Sequence, residues 1–317
     1  MKTMQVNGIL LALAGVLAAA CGGSGGGSSD PEGPRLYIAD SGNDRIASVV
    51  EANRGGWKTL GSTGSGVKQL NGPRSVASDN LNRLYIADNG NNRLVRVDDI
   101  RGGGWVTFDG GGDPVSPGQV AVGPDGKIYM TDNFGYRIVR IDDMSGAGRV
   151  NLGTTQGAGV AHFGSTEDIA FDSFGRIYIV DGVNRRVVRV DDITGAGWTT
   201  FGTIGNGVNQ FDYPRAIALD GINRIYVADT DNHRIVRFGD MVGTGWVSLG
   251  SQGSGVNQFG HPSSIEIREN DTIIYVSDMD NDRLVGMLDM TGDGWYTFGS
   301  TGSGTNKLAT PWGIHLK

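Results

Sequence analysis

Residues 224–238 read RIYVADTDNHRIVRF. Two runs rich in β-branched residues flank a short polar loop, the pattern of strand, tight turn and strand. The chain writes this pattern six times. Tyr37, Tyr85, Tyr129, Tyr178, Tyr226 and Tyr275 share one position. An aspartate follows three residues later in every copy: Asp40, Asp88, Asp132, Asp181, Asp229 and Asp278. An arginine stands five residues beyond: Arg45, Arg93, Arg137, Arg186, Arg234 and Arg283. An asparagine sits between them (Asn43, Asn91, Asn184, Asn232, Asn281), except in the third copy, which has Gly135. Consecutive aspartates lie 48, 44, 49, 48 and 49 residues apart. A fixed period in this range marks a repeat architecture. Each period holds apolar β-type runs broken by Gly, Asn and Asp, with no 3.6-residue pattern. The chain therefore reads as all-β, a six-bladed β-propeller over residues 35–317 with about four strands to a blade.

The fifth copy spells out one blade: PRAIALD (214–220), RIYVAD (224–229), RIVRFGD (234–240) and GWVSLG (245–250). Several of these strands are apolar at consecutive positions, as expected when a sheet is buried on both faces between its neighbours. Side-chain size fits a wedge. The first strands carry Ala77, Ala121, Ala170 and Ala218, the second the six tyrosines, and the fourth is assigned Trp57, Trp105, Trp198, Trp246 and Trp295. Small, medium and large residues in that order fill a ring that widens outward, so the aromatics read as core. The first copy begins at Arg35 with its second strand, and the missing first strand returns at the far end as PWGIHLK (311–317). The last strand is expected to complete the first blade and close the ring.

Residues 1–20 stand apart from this pattern. Lys2 opens a positive start, and Ile9–Ala20 is small and apolar, too short to span a bilayer and suited to a secretory signal. It ends LAAAC at Cys21, the only cysteine, which resembles the lipobox of bacterial lipoproteins, although Ala18 stands where that motif has leucine. The resemblance implies cleavage and lipidation at Cys21, followed by a Gly/Ser tether over residues 21–34. The expected location is the bacterial cell envelope, lipid-anchored and extracytoplasmic. The 317 residues hold 27 Lys and Arg against 34 Asp and Glu, a net charge of −7, which becomes −8 without residues 1–20 and their one lysine. Such a surface repels nucleic acid.

The order of proline, apolar strand, I-Y-V-A-D-x-x-N-x-R-I-V and then GSQGSGVNQF before Pro262 resembles the NHL repeat, over residues 35–317. The resemblance implies a six-bladed propeller, in a family that spans amidating lyases, RNA-binding regulators, sensor ectodomains and many secreted proteins. Fold does not choose among these. Amidating lyases of the family place zinc-binding histidines directly after the proline. None of the six positions here is histidine, and His162, His233, His261 and His315 share no repeat position. No metal is therefore expected, and no cofactor motif is written in the chain. Asp278, Asp280 and Asp282 are spaced like the start of a calcium loop, but Arg283 stands where that loop needs glycine. The D-x-x-N-x-R element itself reads as a turn held by its own side chains, because it recurs in every copy.

Function is then sought where the copies disagree. The position after the proline reads Arg74, Gly118, Glu167, Arg215, Ser263 and Trp312, and the next reads Ser75, Gln119, Asp168, Ala216, Ser264 and Gly313. In a propeller these line the mouth of the central channel. Arg74, Gln119, Glu167, Asp168, Arg215 and Trp312 are the candidate ligand contacts, suited to a polar small molecule, a glycan or an acidic peptide end. Glu266 and His315 replace the alanine of the first strands and form a candidate acid–base pair on adjacent inner strands. The third copy diverges most, with Phe134, Gly135, Tyr136, Arg149, His162 and Phe163, and its aromatics are expected to form a patch beside Glu167 and Asp168. The expected role is a monomeric binding or scaffold module for a protein, peptide or glycan. The alternative is an enzyme, a lactonase-like hydrolase or a lyase, acting in the channel.

Overall fold

A computed structural model describes residues 33–50, 55–268 and 273–317. Residues 1–20, expected to be a secretory signal, Cys21 and most of the expected tether lie outside the described residues. Among the described residues there are six four-stranded antiparallel sheets, one per repeat. Blade 1 orders Pro311–Leu316, Arg35–Asp40, Arg45–Val50 and Lys58–Leu60 from the axis outward. Blade 2 orders Pro73–Ser78, Leu84–Asp88, Arg93–Val97 and Val106–Phe108. The inner strands of blades 3 to 6 are Pro117–Val122, Asp168–Phe171, Pro214–Leu219 and Pro262–Arg268. The ring closes through the last strand of the chain. His315 pairs with Tyr37 and Leu316 with Leu36, while Arg35 and Lys317 exchange backbone hydrogen bonds of 2.7 and 2.9 Å.

Second strands such as Ile177–Asp181 and Ile225–Asp229 are buried at every residue, which explains their unbroken apolar runs. The core lies between blades. Tyr178, Val187 and Phe201 of blade 4, for example, pack with Ile217, Val227 and Phe238 of blade 5. Four of the repeat tyrosines keep their hydroxyls satisfied in this core. Tyr85, Tyr129, Tyr178 and Tyr226 donate to Asp79, Asp125, Asp172 and Asp220, at 2.9–3.3 Å.

The D-x-x-N-x-R element is a clamp that reaches beyond its own turn. Asp229 is fully buried and accepts from Arg234 Nε at 2.7 Å, Asn232 Nδ2 at 2.9 Å and the Asp212 amide at 2.7 Å. The far end of Arg234 donates to the carbonyls of Asn206, Gly207 and Gln210, on the connection arriving from blade 4. Arg93 does the same to Ser65 and Gln69, and Arg45 to Ser303 and Lys307. Each blade thus grips the chain entering from its predecessor. The residue before each of these arginines turns left-handed, with φ of 50–53° at Asp44, Asn92, Tyr136, Arg185, His233 and Asp282.

Two expectations need correction. The tryptophans stand one residue before the short fourth strands and pack against the core, but only half-buried, so they cover its outer edge and do not lie inside it. Trp57, Trp105, Trp198 and Trp246 lie under the clamp arginines of their own blades, with Cζ 5.5–5.9 Å from the ring centre. Phe163 is fully buried at the position of Leu70, Phe211 and Phe259, so it belongs to the core and not to a surface patch. Phe134 remains exposed.

Blade 3 solves the same problem differently. Its entering connection is short, which produces the 44-residue interval. Asp113 supplies both acceptors that loop carbonyls supply elsewhere, taking Arg137 through two bonds of 2.9 Å. Arg149, in place of tryptophan, lies 2.9 Å from the same carboxylate and donates to Gly110 O at 2.8 Å. Arg137 first, with Arg149, holds the Asp113 carboxyl below the ordinary carboxylate range.

Candidate functional site

The six inner strands expose one residue per layer toward the axis, so register sorts the channel into rings. At the mouth, two of the six residues serve the fold. Gly118 is buried where a Cβ would stand 2.8 Å from Thr131 Oγ1, and the Ser263 hydroxyl donates to the carbonyls of Pro311 and Trp312, pinning the closing strand. The other four converge. The guanidinium carbons of Arg74 and Arg215 lie 4.5 and 4.9 Å from the centre of the Trp312 ring. Arg215 also stacks on Tyr213 at 5.2 Å, and Tyr213 donates its hydroxyl to Glu167 Oε1 at 3.0 Å. Nε and Nη1 of Arg215 are buried without a hydrogen-bond acceptor among the described residues. Burial holds Arg74 below the ordinary arginine range, against the pull of Glu167 and with the push of Arg215. Tyr213 was missed in the sequence. Its signal is position, an aromatic directly before a ring proline.

The next ring lies below the mouth and stitches blades together. Ser75 Oγ accepts the Val120 amide at 3.2 Å, Ser264 Oγ the Ile314 amide at 3.2 Å, and Asp168 Oδ2 the Ile217 amide at 2.9 Å. Asp168 is therefore buried in the channel wall and is not a rim contact, and Gln119 is buried beside it. Burial first, with the charges of Glu266 and Glu167, pushes the Asp168 carboxyl up to about 8, although two backbone amides favour its ionised form. The channel encloses about 230 Å³.

At the floor, register confirms that Glu266 and His315 occupy the alanine ring. Each pairs with a repeat tyrosine, as Ala77, Ala121, Ala170 and Ala218 do. His315 Nδ1 is 3.5 Å from Glu266 Oε1. Its other nitrogen, Nε2, is 2.8 Å from Ser78 Oγ. Ser78 was also missed. It belongs to the following ring, which otherwise reads Val122, Phe171, Leu219, Ile267 and Leu316.

The remaining candidates scatter. Asp278 is a clamp carboxylate, Asp280 contacts His261, and Asp282 accepts from Thr301 and the Thr310 amide. The His233 and His261 rings lie 4.8 Å apart, tilted by 48°, with His162 on another blade. Among the described residues no group of three or more His, Cys, Asp or Glu is placed to hold a metal ion.

Solved structures with the same fold include a nidogen/laminin complex, at 17% identity and a TM-score of 0.68 over 90% of this chain and 98% of the other. A protein of unknown function from Bacteroides caccae aligns at 15% identity and 0.62, over 90% and 99%. Virginiamycin B lyase from Staphylococcus aureus aligns at 16% and 0.55, over 76% and 73%. No curated protein matches the chain in sequence. The NHL repeat model matches residues 70–96 and 211–238, each running from the strand-entry loop through the clamp arginine. With six register-equivalent copies of that unit closed into one ring, the chain is an NHL-repeat β-propeller.

Proposed function

We propose that this propeller is a binding module for a ligand with an anionic end, held at the channel mouth by Arg74, Arg215 and Trp312. The observation that carries this reading is the Arg215 guanidinium, with two buried donors and no acceptor among the described residues. An unsatisfied buried donor costs about 1–3 kcal/mol, which an incoming carboxylate offsets by accepting a charge-assisted hydrogen bond from the guanidinium. Trp312 holds both cations in place from one ring. A groove of about 440 Å³ lies alongside, lined by Arg74, Trp312 and the backbone of Gly42, Gly72 and Gly90, with room for the rest of a peptide. The acidic surface disfavours polyanions, so a single carboxylate, such as a peptide C-terminus, fits best. Lipidation at Cys21 would hold the propeller at the bacterial envelope.

Calorimetry with acetylated tripeptides, free or amidated at the C-terminus, tests the site. The free acid is expected to bind at least about tenfold tighter than the amide, and Arg215→Leu to erase the difference at an unchanged melting temperature. Equal binding of acid and amide refutes it. Palmitate incorporation lost in Cys21→Ala tests the tether, and an unmodified wild-type protein refutes that part. The fold hosts both binding and catalysis in its structural neighbours. A second reading, a small-substrate hydrolase or lyase, has one specific support, the contact of Glu266 with His315.

A further inference from the structure

Two successive rings at the channel floor hold twelve residues, and nine of them are alanine or larger apolar side chains. The three exceptions are Ser78, Glu266 and His315. They come from three blades, 2, 6 and 1, and all three meet. Structural upkeep alone does not ask for this, because blades 3, 4 and 5 build the same two rings without a polar group. The order of contacts is also specific. One imidazole nitrogen faces a hydroxyl at 2.8 Å and the other faces a carboxylate at 3.5 Å. That is the connectivity by which a carboxylate orients an imidazole to take a proton from a serine. Acid–histidine contacts of this kind are often long before a substrate binds.

The geometry points to a hydrolytic site at the channel floor, with Ser78 as nucleophile, His315 as general base and Glu266 as the residue that positions His315. None of the mouth residues takes part, so this site and the binding site stand or fall separately. The cavity lies open to all three side chains, and Val122, Phe171, Leu219 and Ile267 line the rest of its floor. The matching substrate is a small carboxylic ester with an apolar acyl group.

The chemistry closes on these residues and water. As Ser78 Oγ bonds to the ester carbon, its proton passes to His315 Nε2. The bond from that carbon to the alcohol oxygen breaks, and the alcohol leaves with the proton. A water then adds to the acyl carbon and gives its proton to Nε2. The acid departs as Oγ regains that proton. Asp79 N pairs with Arg83 O on the neighbouring strand, and strand amides alternate in direction, so the Ser78 amide faces the channel. It can donate to the oxygen that becomes negative in the first step.

The test is a fluorophosphonate probe, which forms an Oγ–P bond and expels fluoride only at an activated serine. Intact mass and peptide mapping are expected to show one adduct, on Ser78. Hydrolysis of p-nitrophenyl butyrate is expected to fall at least about 100-fold in Ser78→Ala. Glu266→Gln is expected to lower kcat with little change in KM, and a merely structural contact would not produce that split. If Ser78→Ala fails to fold, the adduct site on the wild-type protein decides. No adduct on Ser78, or ester hydrolysis that survives in folded Ser78→Ala, overturns the assignment.

Discussion

Removing one clamp carboxylate should cost more in blade 5 than in blade 3. In Asp229→Ala, Arg234 loses its only carboxylate partner among the described residues, and its side chain is 11% exposed. The Asp212 amide loses its acceptor at the same time, and Asn232 Nδ2 keeps only the Gly205 carbonyl. Breaking a buried pair from one side costs about 3–5 kcal/mol, because the surviving charge stays buried. Burial already pushes the Asp229 carboxyl above the ordinary range, so the pair persists only through its full set of donors. In Asp132→Ala the outcome differs. Arg137 keeps the two bonds to Asp113, and the asparagine is absent because Gly135 replaces it. The loss there is one charged hydrogen bond and the amide contacts of Ser116 and Gly135, with the guanidinium still paired, about 2–3 kcal/mol. Urea unfolding, followed by tryptophan fluorescence and far-UV circular dichroism, reads both, provided the two signals coincide and the slope with denaturant is unchanged. Equal losses, or a loss below about 1 kcal/mol for Asp229→Ala, would refute the clamp as the source of rigidity.

Asp168 gives the stability a pH dependence of definite sign. Its folded carboxyl keeps a proton up to about 8, whereas the unfolded chain releases it near 4. Between those values the unfolded state binds fewer protons, so this residue's contribution falls as pH rises and levels off above about 8. Asp168→Asn is expected to flatten that decline in melting temperature; a parallel decline in both proteins would contradict the burial. Deletion of residues 309–317 is expected to abolish the cooperative transition and yield aggregates, since it strips the inner strand from blade 1. A monomer that still unfolds cooperatively would show that closure is dispensable.

The ring was legible in the sequence because its repeated contacts are local. Tyrosine, aspartate, asparagine and arginine lie within nine residues, and their spacing sets turn and register together. The returning strand was legible because PWGIHLK keeps the pattern of an inner strand. What could not be read is whatever depends on which side of a blade faces which neighbour. The tryptophans have the size of core residues but sit where blades diverge, so they lie half-covered under arginines. Asp113 compensates for a shortened connection from 24 residues away, which no local pattern records. At the site, comparison of copies found Glu266 and His315 because alanine is uniform around their ring. Ser78 escaped because a serine among mixed apolar residues looks like ordinary variation until register places it against His315. Asp168 had the right location and the wrong exposure, since an amide from the next blade draws it into the wall.

The closing strand also has a consequence in time. A chain is made from its N-terminus, so five blades can assemble while the first still lacks Pro311–Leu316. Through that interval Arg35–Asp40 presents a raw edge, and the channel has a gap instead of a wall. His315 lies on that same strand. The histidine that joins Glu266 to Ser78 thus arrives with the latch itself. Without Pro311–Leu316 the wall and the His315 contacts are both absent, so the three side chains meet only when the ring closes.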